Sequence, residues 1–383
     1  MTTPTRPAPA AVEPHGKHTL TPARIIGVGT AVTGNGYGQR KLLDLFGITD
    51  PRTRSVFLNS AIERRFLTLP PRDDTGAFGT ESQGQLLAKH KRLALDMGAR
   101  AVQRCLADAG LTLADVDHLC CVTTTGFLTP GISAHLMRQT GIAAGTSRMD
   151  VVGMGCNAGL NALNAVAAWA TAHPGKVAVL LCVEACSAAY VMDGTMRTSV
   201  VNSLFGDGAA AIALSADPPD TAGPPSGDLP GVPGASAGPR LLGFASHLID
   251  SAIDAMRYDW DDDENKFSFY LDPDVPYVVG AHAEQVVDRL LASEGLRRSD
   301  IGHWLVHSGG KKVIDAVRVN LGLTRHDLQH TSGVLRDYGN LSSGSFLFSY
   351  ERLVREDVVR AGDFGVLMTM GPGSTIETAL VQW

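Results

Sequence analysis

A pattern written twice along the chain narrows the possible folds more than any other feature. Ala109-Gly110-Leu111 followed by Asp115-Val116-Asp117-His118-Leu119 recurs in the second half as Glu294-Gly295-Leu296 followed by Asp300-Ile301-Gly302-His303-Trp304, with one offset at every position. Gly155-Cys156-Asn157-Ala158-Gly159 precedes Gly339-Asn340-Leu341-Ser342-Ser343 by nearly the same offset. So does Gly175-Lys176-Val177-Ala178-Val179-Leu180 precede Gly362-Asp363-Phe364-Gly365-Val366-Leu367. Any one pair would mean little. Three in the same order at nearly one offset imply that the chain is built of two similar halves.

Each half alternates helical and extended patterns, which predicts an α/β protein. Helices are expected over 85–109, 159–171 and 281–291, and buried strands over 177–183 and 366–370. The segment 159–171 is small and apolar nearly all round, as a helix enclosed on every side would be. Residues 217–239 are mostly Pro, Gly, Ala, Ser and Asp and read as a linker. The expected organisation is a disordered tail over 1–23, an N-terminal half over 24–216, this linker, and a C-terminal half over 240–383.

Bulk composition excludes several functions. With 33 basic and 39 acidic residues and a net charge of −6, the chain lacks the basic surface of a nucleic-acid binder. No run of about 18 apolar residues is present to span a membrane. The N-terminus is not patterned as a signal peptide. The six cysteines have neither disulfide-framework nor zinc-finger spacing, so a reduced, cytoplasmic protein is expected.

One cysteine stands apart. Cys156 lies where an apolar strand ends, glycines turn the chain, and the enclosed helix begins. A helix N-terminus favours an anion and lowers a thiol pKa, and the thiolate is the nucleophilic form. An arbitrary buried cysteine is usually inert, and Cys105, Cys120, Cys121 and Cys182 are read so, whereas Cys186 is a candidate for lining a cavity. His307 ends a strand just before Gly309-Gly310, a position from which a ring can face a pocket. Asn340 occupies the repeat position of Cys156, so the halves would bring the two together. A histidine supports a thiolate, and His and Asn together can donate to an enolate or oxyanion.

Other motifs carry less. Gly27-Val28-Gly29 lacks the third glycine of a dinucleotide loop. Gly234-Ala235-Ser236-Ala237-Gly238 fits a nucleophile elbow in letters only, with no strand before it. The acidic run 259–264 reads as a solvated loop. Arg64, Arg65, Lys311 and Lys312 are candidates for phosphate contacts.

The Cys156 segment, Leu204-Phe205-Gly206-Asp207-Gly208-Ala209-Ala210, His307-Ser308-Gly309-Gly310, Tyr338-Gly339-Asn340-Leu341-Ser342-Ser343 and Gly371-Pro372-Gly373 occur together in an order that resembles the chalcone-synthase-like type III polyketide synthases. The resemblance runs over about residues 24–383. It implies a thiolase-like αβαβα five-layered fold, a homodimer, and decarboxylative condensation of malonyl-CoA with no metal or other cofactor. It makes Cys156 the acyl-accepting nucleophile, with His307 and Asn340 assisting. It puts Phe205 and Phe269 at the cavity mouth, Cys186, Met370, Gly371, Pro372 and Gly373 around the cavity, and Arg64, Arg65, Gly309, Gly310 and Lys311 toward CoA. Met370 and Ser308 depart from the Phe and Pro common in the family, and Met370 is expected to reshape the cavity. Runs such as 55–62 and 256–260 look like a bacterial member primed by malonyl-CoA. That member takes one starter and three extenders to a cyclised aromatic thioester, with crotonase-like proteins assisting aromatisation. A longer malonyl-primed product, a related thiolase-fold condensing enzyme, or a non-catalytic thiolase-fold binding protein are the alternatives.

Overall fold

A computed structural model of the chain describes residues 21–218 and 238–383, with 73, 75 and 77 set aside. Residues 1–20 of the expected tail and 219–237 of the expected linker lie outside the described residues. Thr21–Ala23 precede the first strand, and Ala23 is buried.

Nine strands form one sheet, in spatial order Ile301–Val306, Phe364–Gly371, Thr375–Gln382, Arg240–Leu248, Arg24–Ala31, Gly208–Ser215, Val177–Glu184, Val116–Thr123 and Ser147–Val152. The order is nearly mirror-symmetric about its middle, where Arg24 pairs with Arg240 alone. On one side Val116–Thr123 runs parallel to Val177–Glu184, which pairs antiparallel with Gly208–Ser215, which pairs antiparallel with Arg24–Ala31. On the other, Ile301–Val306 runs parallel to Phe364–Gly371, which pairs antiparallel with Thr375–Gln382, which pairs antiparallel with Arg240–Leu248. The first and third sequence repeats fall on equivalent strands.

The helices complete five layers. Gln83–Asp108 covers the N-terminal strands and Val275–Ala292 the C-terminal ones. Between them lie Ala158–Ala172 and Ser345–Arg355, each packed on strands of both halves. Their sequences account for the position: Ala158–Ala172 is mostly Ala and Leu, small enough to sit between two sheet faces. Gln83–Asp108 starts where it does because Ser82 accepts from the Gln85 N–H while Gln85 Oε1 accepts from the Ser82 N–H, which occupies two of the helix's free donors.

Two expectations need correction. The repeat pairs Cys156 with Asn340, but the turn that leads into each enclosed helix is Gly155–Asn157 in one half and Ser342–Gly344 in the other. The separation of these two turns along the chain equals that of Gly175 and Gly362, the pair that opens the strand repeat. The structural counterpart of Cys156 is therefore Ser343, and Asn340 sits slightly earlier, ahead of the turn. The acidic run is not a loop throughout: Met256–Asp261 pairs with Lys266–Leu271 in a hairpin that sets Tyr258 opposite Phe269. Aromatic residues facing a cavity outweigh the acidic residues alternating with them.

Candidate active site

Cys156 sits on the turn Gly155–Asn157, immediately before the helix Ala158–Ala172. Two close approaches hold that turn. A Cβ on Gly155 would lie 2.2 Å from Pro372 Cδ, and one on Gly371 would lie 2.9 Å from the Cys156 nitrogen. Gly155 also has a φ of 70°, which favours glycine. The Gly371-Pro372-Gly373 turn is thus a wedge against the cysteine turn, with Gly373 at a φ of 74°.

Cys156 lines a cavity of about 270 Å³, together with Cys186, Phe205, Phe269 and Pro372 from the expected set. Phe205 and Phe269 meet edge to face at 5.9 Å. Met370 is buried in the core cluster that also holds Cys156 and Phe205. Tyr190 and Tyr258 line the cavity as well, and Tyr258 packs 5.1 Å from Phe269. Neither tyrosine was singled out from sequence, since each lies in a stretch whose pocket-facing side shows only once the chain is folded.

His307 and Asn340 are 2% and 3% exposed and stand behind the cavity wall. No hydrogen bond links either one directly to the Cys156 sulfur among the described residues. They meet Cys156 through Ser342. The Ser342 hydroxyl is 3.5 Å from Cys156 Sγ. Its backbone N–H donates to Asn340 Oδ1 at 2.8 Å. Its carbonyl accepts from Ser345 Oγ at 3.2 Å, and Ser345 Oγ contacts His307 Nδ1. Asn340 Nδ2 donates to Gly309 O at 3.2 Å. Ser342 holds a φ of 49°, a left-handed conformation uncommon for a serine and found where a site over-determines the backbone.

A second chain reaches the sulfur from Glu184, which is fully buried. Its carboxylate accepts from the Thr124 N–H at 2.9 Å, Thr124 Oγ1 at 3.1 Å and Ser343 Oγ at 2.5 Å. Thr124 Oγ1 lies 3.2 Å from the Ser342 hydroxyl. Burial raises the Glu184 carboxyl against these hydrogen bonds.

Burial also dominates Cys156 and His307. It pushes the Cys156 thiol up to about 12, opposed by the Ser342 hydrogen bond, and pushes His307 down to about 3. The lowering expected from the helix start is therefore outweighed by burial.

The basic candidates separate. On the short strand Arg64–Phe66 side chains alternate: Arg64 is exposed and Arg65 is fully buried. Arg65 donates to Gln39 Oε1 at 3.1 and 2.9 Å, to Tyr190 Oη at 2.8 Å and to Phe205 O at 2.7 Å. A guanidinium so enclosed does not meet a CoA phosphate; it braces Tyr190 and Phe205 at the cavity. Lys311 is exposed, pairs with Asp315 at 2.6 Å, and opens a helix after Gly309-Gly310. All six cysteines are free and buried. Among the described residues no group of three or more His, Cys, Asp or Glu is placed to hold a metal.

The model of the N-terminal domain of chalcone and stilbene synthases matches residues 19–218, and that of the C-terminal domain matches residues 255–383. The chain belongs to the chalcone and stilbene synthase family, the type III polyketide synthases. As a member of this family it is a decarboxylative condensing acyltransferase. It is 67% identical over 360 residues to the 3,5-dihydroxyphenylacetyl-CoA synthase of Amycolatopsis orientalis, covering 94% of this chain and 93% of that one. It is 32% identical over 366 residues to the 1,3,6,8-tetrahydroxynaphthalene synthase of Streptomyces peucetius subsp. caesius, covering 94% and 93%. Among solved structures, 1,3,6,8-tetrahydroxynaphthalene synthase from Streptomyces coelicolor A3(2) superposes with a TM-score of 0.82 at 27% identity, covering 94% of this chain and 99% of that one. The thiolase-like architecture of this synthase family is the one the layers describe. Among the described residues no helix is long and apolar enough to cross a membrane.

Proposed function

We propose that this type III polyketide synthase makes 3,5-dihydroxyphenylacetyl-CoA from four malonyl-CoA molecules, one as starter and three as extenders. The observation that carries the reading is 66–68% identity over 94% of the chain to three synthases of that product. The convergence of Cys156, His307 and Asn340 on Ser342 supports the assignment of the site.

In this reading the Cys156 proton passes to His307, and the sulfur attacks the malonyl thioester carbonyl. CoA leaves as its thiolate and is protonated by solvent, so His307 keeps the proton it took from Cys156. A second malonyl-CoA then loses CO₂, and the resulting enolate oxygen accepts hydrogen bonds from His307 and Asn340. The enolate carbon attacks the thioester on Cys156 and the sulfur departs, leaving the longer chain on CoA to reload. Loss of the starter carboxyl leaves an eight-carbon chain. Aldol attack of its far carbon on the carbonyl next but one to the thioester carbon closes a six-membered ring, and loss of water makes it aromatic. The reaction then balances as four malonyl-CoA giving product, three CoA, four CO₂ and one water. The apolar wall of Phe205, Phe269 and Tyr258 is suited to a growing chain that must be kept from water.

The enzyme is proposed to act in the cytoplasm as a homodimer, with crotonase-like proteins assisting aromatisation. The strand Ser147–Val152 ends the sheet and carries the half-exposed Val152, a surface suited to self-pairing. The site is tested by whole-protein mass spectrometry after brief exposure to malonyl-CoA. Acyl adducts are expected on Cys156 and absent from Cys156→Ala. Adducts on another residue, or undiminished adducts in the variant, would remove Cys156 from the role.

A further inference from the structure

Ser345 opens the enclosed helix Ser345–Arg355 and is fully buried. Its hydroxyl meets two groups: His307 Nδ1, and Ser342 O at 3.2 Å. A serine hydroxyl carries one hydrogen. Donation to the carbonyl three residues back is a common habit of serine in this position. With the hydrogen there, a lone pair faces the imidazole, and it can only accept.

We infer that Ser345 is a positioning residue for His307: by accepting from Nδ1–H it fixes the tautomer with Nε2 bare and supports the imidazolium that forms when Nε2 takes the Cys156 proton. The inference rests on the reading of His307 as the partner of Cys156. In the step concerned, the S–H bond breaks, an Nε2–H bond forms, and the Nδ1–H stays on the ring, directed at Ser345. The ring nitrogen that is not reacting sets which nitrogen reacts, as a carboxylate does in the serine-protease triad. Among the described residues no carboxylate hydrogen-bonds the ring. Glu184 acts on Cys156, while burial alone accounts for the low basicity of His307. Among the described residues the only hydrogen bond of the imidazole is to Ser345. A neutral acceptor at Nδ1 is therefore the group placed to share the positive charge.

The tautomer is read directly on the full-length protein labelled with ¹⁵N-histidine, using two-bond ¹H–¹⁵N correlations and His307→Gln to assign the ring. A protonated Nδ1 and a bare Nε2 are expected; a ring protonated at Nε2 would overturn the inference, and this readout needs no active variant. The second measurement is the pH profile of Cys156 alkylation by iodoacetamide. Ser345→Ala should move the inflection up by about one pH unit, roughly tenfold slower reaction at neutral pH, and Ser345→Thr should restore it by keeping the hydroxyl. A Ser345→Ala profile that superimposes on the wild type, while His307→Gln shifts its own, overturns the role of Ser345 alone. If His307→Gln also leaves the profile unmoved, the pairing of His307 with Cys156 fails, and this inference fails with it.

Discussion

Replacing Gly155 by alanine tests the wedge that holds the cysteine turn. At a φ of 70° an L-residue is strained, at a cost of about 1–2 kcal/mol. The new Cβ would also lie 2.2 and 2.3 Å from Pro372 Cδ and Cγ. A proline ring cannot rotate away, so the backbone must shift, as in overpacked cores, for about 1–3 kcal/mol more. Together the two effects come to about 2–5 kcal/mol. The control is Gly295→Ala, where φ is 66° and nothing lies within 4 Å of the added carbon, so only the backbone strain remains. Urea unfolding should separate the variants by about 1–3 kcal/mol. The shift also moves Cys156, and a displacement of about 1 Å in a reacting group costs on the order of 100-fold in rate. Product formation from malonyl-CoA should fall by that order in Gly155→Ala and hold in Gly295→Ala. Equal stability and equal turnover in the two variants would refute the wedge.

Cys156→Ala should abolish polyketide while leaving part of the malonyl-CoA decarboxylation, because the Asn340 donor remains and only the proton that Cys156 lends His307 is lost; released CO₂ is the readout. His307→Gln should raise the pH at which Cys156 alkylates, since burial, with Glu184 adding to it, pushes the thiol up to about 12 and the proposed proton acceptor is gone; an unchanged inflection would contradict the pairing. Tyr258→Ala should widen the cavity beside Phe269 and shift products toward longer chains in the mass spectrum. Arg65→Met leaves Gln39 Oε1 without its donor, a loss of about 1–3 kcal/mol, and frees Tyr190 to move. Its expected signature is lower stability together with a broader product range.

The sequence carried much of this because its information was local. The two sequence blocks that fall on strands pair with each other inside each half, Val116–Thr123 with Val177–Glu184 and Ile301–Val306 with Phe364–Gly371, so a repeated order in the sequence becomes a repeated pairing in the sheet. Cys156 and His307 stood out in the sequence because each follows a strand end next to glycines; the structure sets Cys156 on the cavity and buries His307 behind it. What stayed hidden depended on long-range placement. Ser342 reads as one more small turn residue until its left-handed backbone brings its hydroxyl, N–H and carbonyl toward three different partners. Glu184 reads as the charged stop of an apolar run, whereas it is buried and satisfied by Thr124 and Ser343, both far from it along the chain. Arg64 and Arg65 look alike in sequence, and a short strand sends one to solvent and the other into the core. Asn340 was expected beside Cys156 as its repeat counterpart, whereas the turn itself aligns Ser343 with the cysteine and Asn340 meets it only through Ser342.

The central claim is tested most directly by giving the purified protein malonyl-CoA alone and identifying every product by mass spectrometry, with released CoA and CO₂ counted alongside. The account predicts a 3,5-dihydroxyphenylacetyl species, with four CO₂ for each ring formed. A ten-carbon naphthalene-type product would contradict the proposed chain length, and turnover that requires a different starter would contradict the malonyl priming.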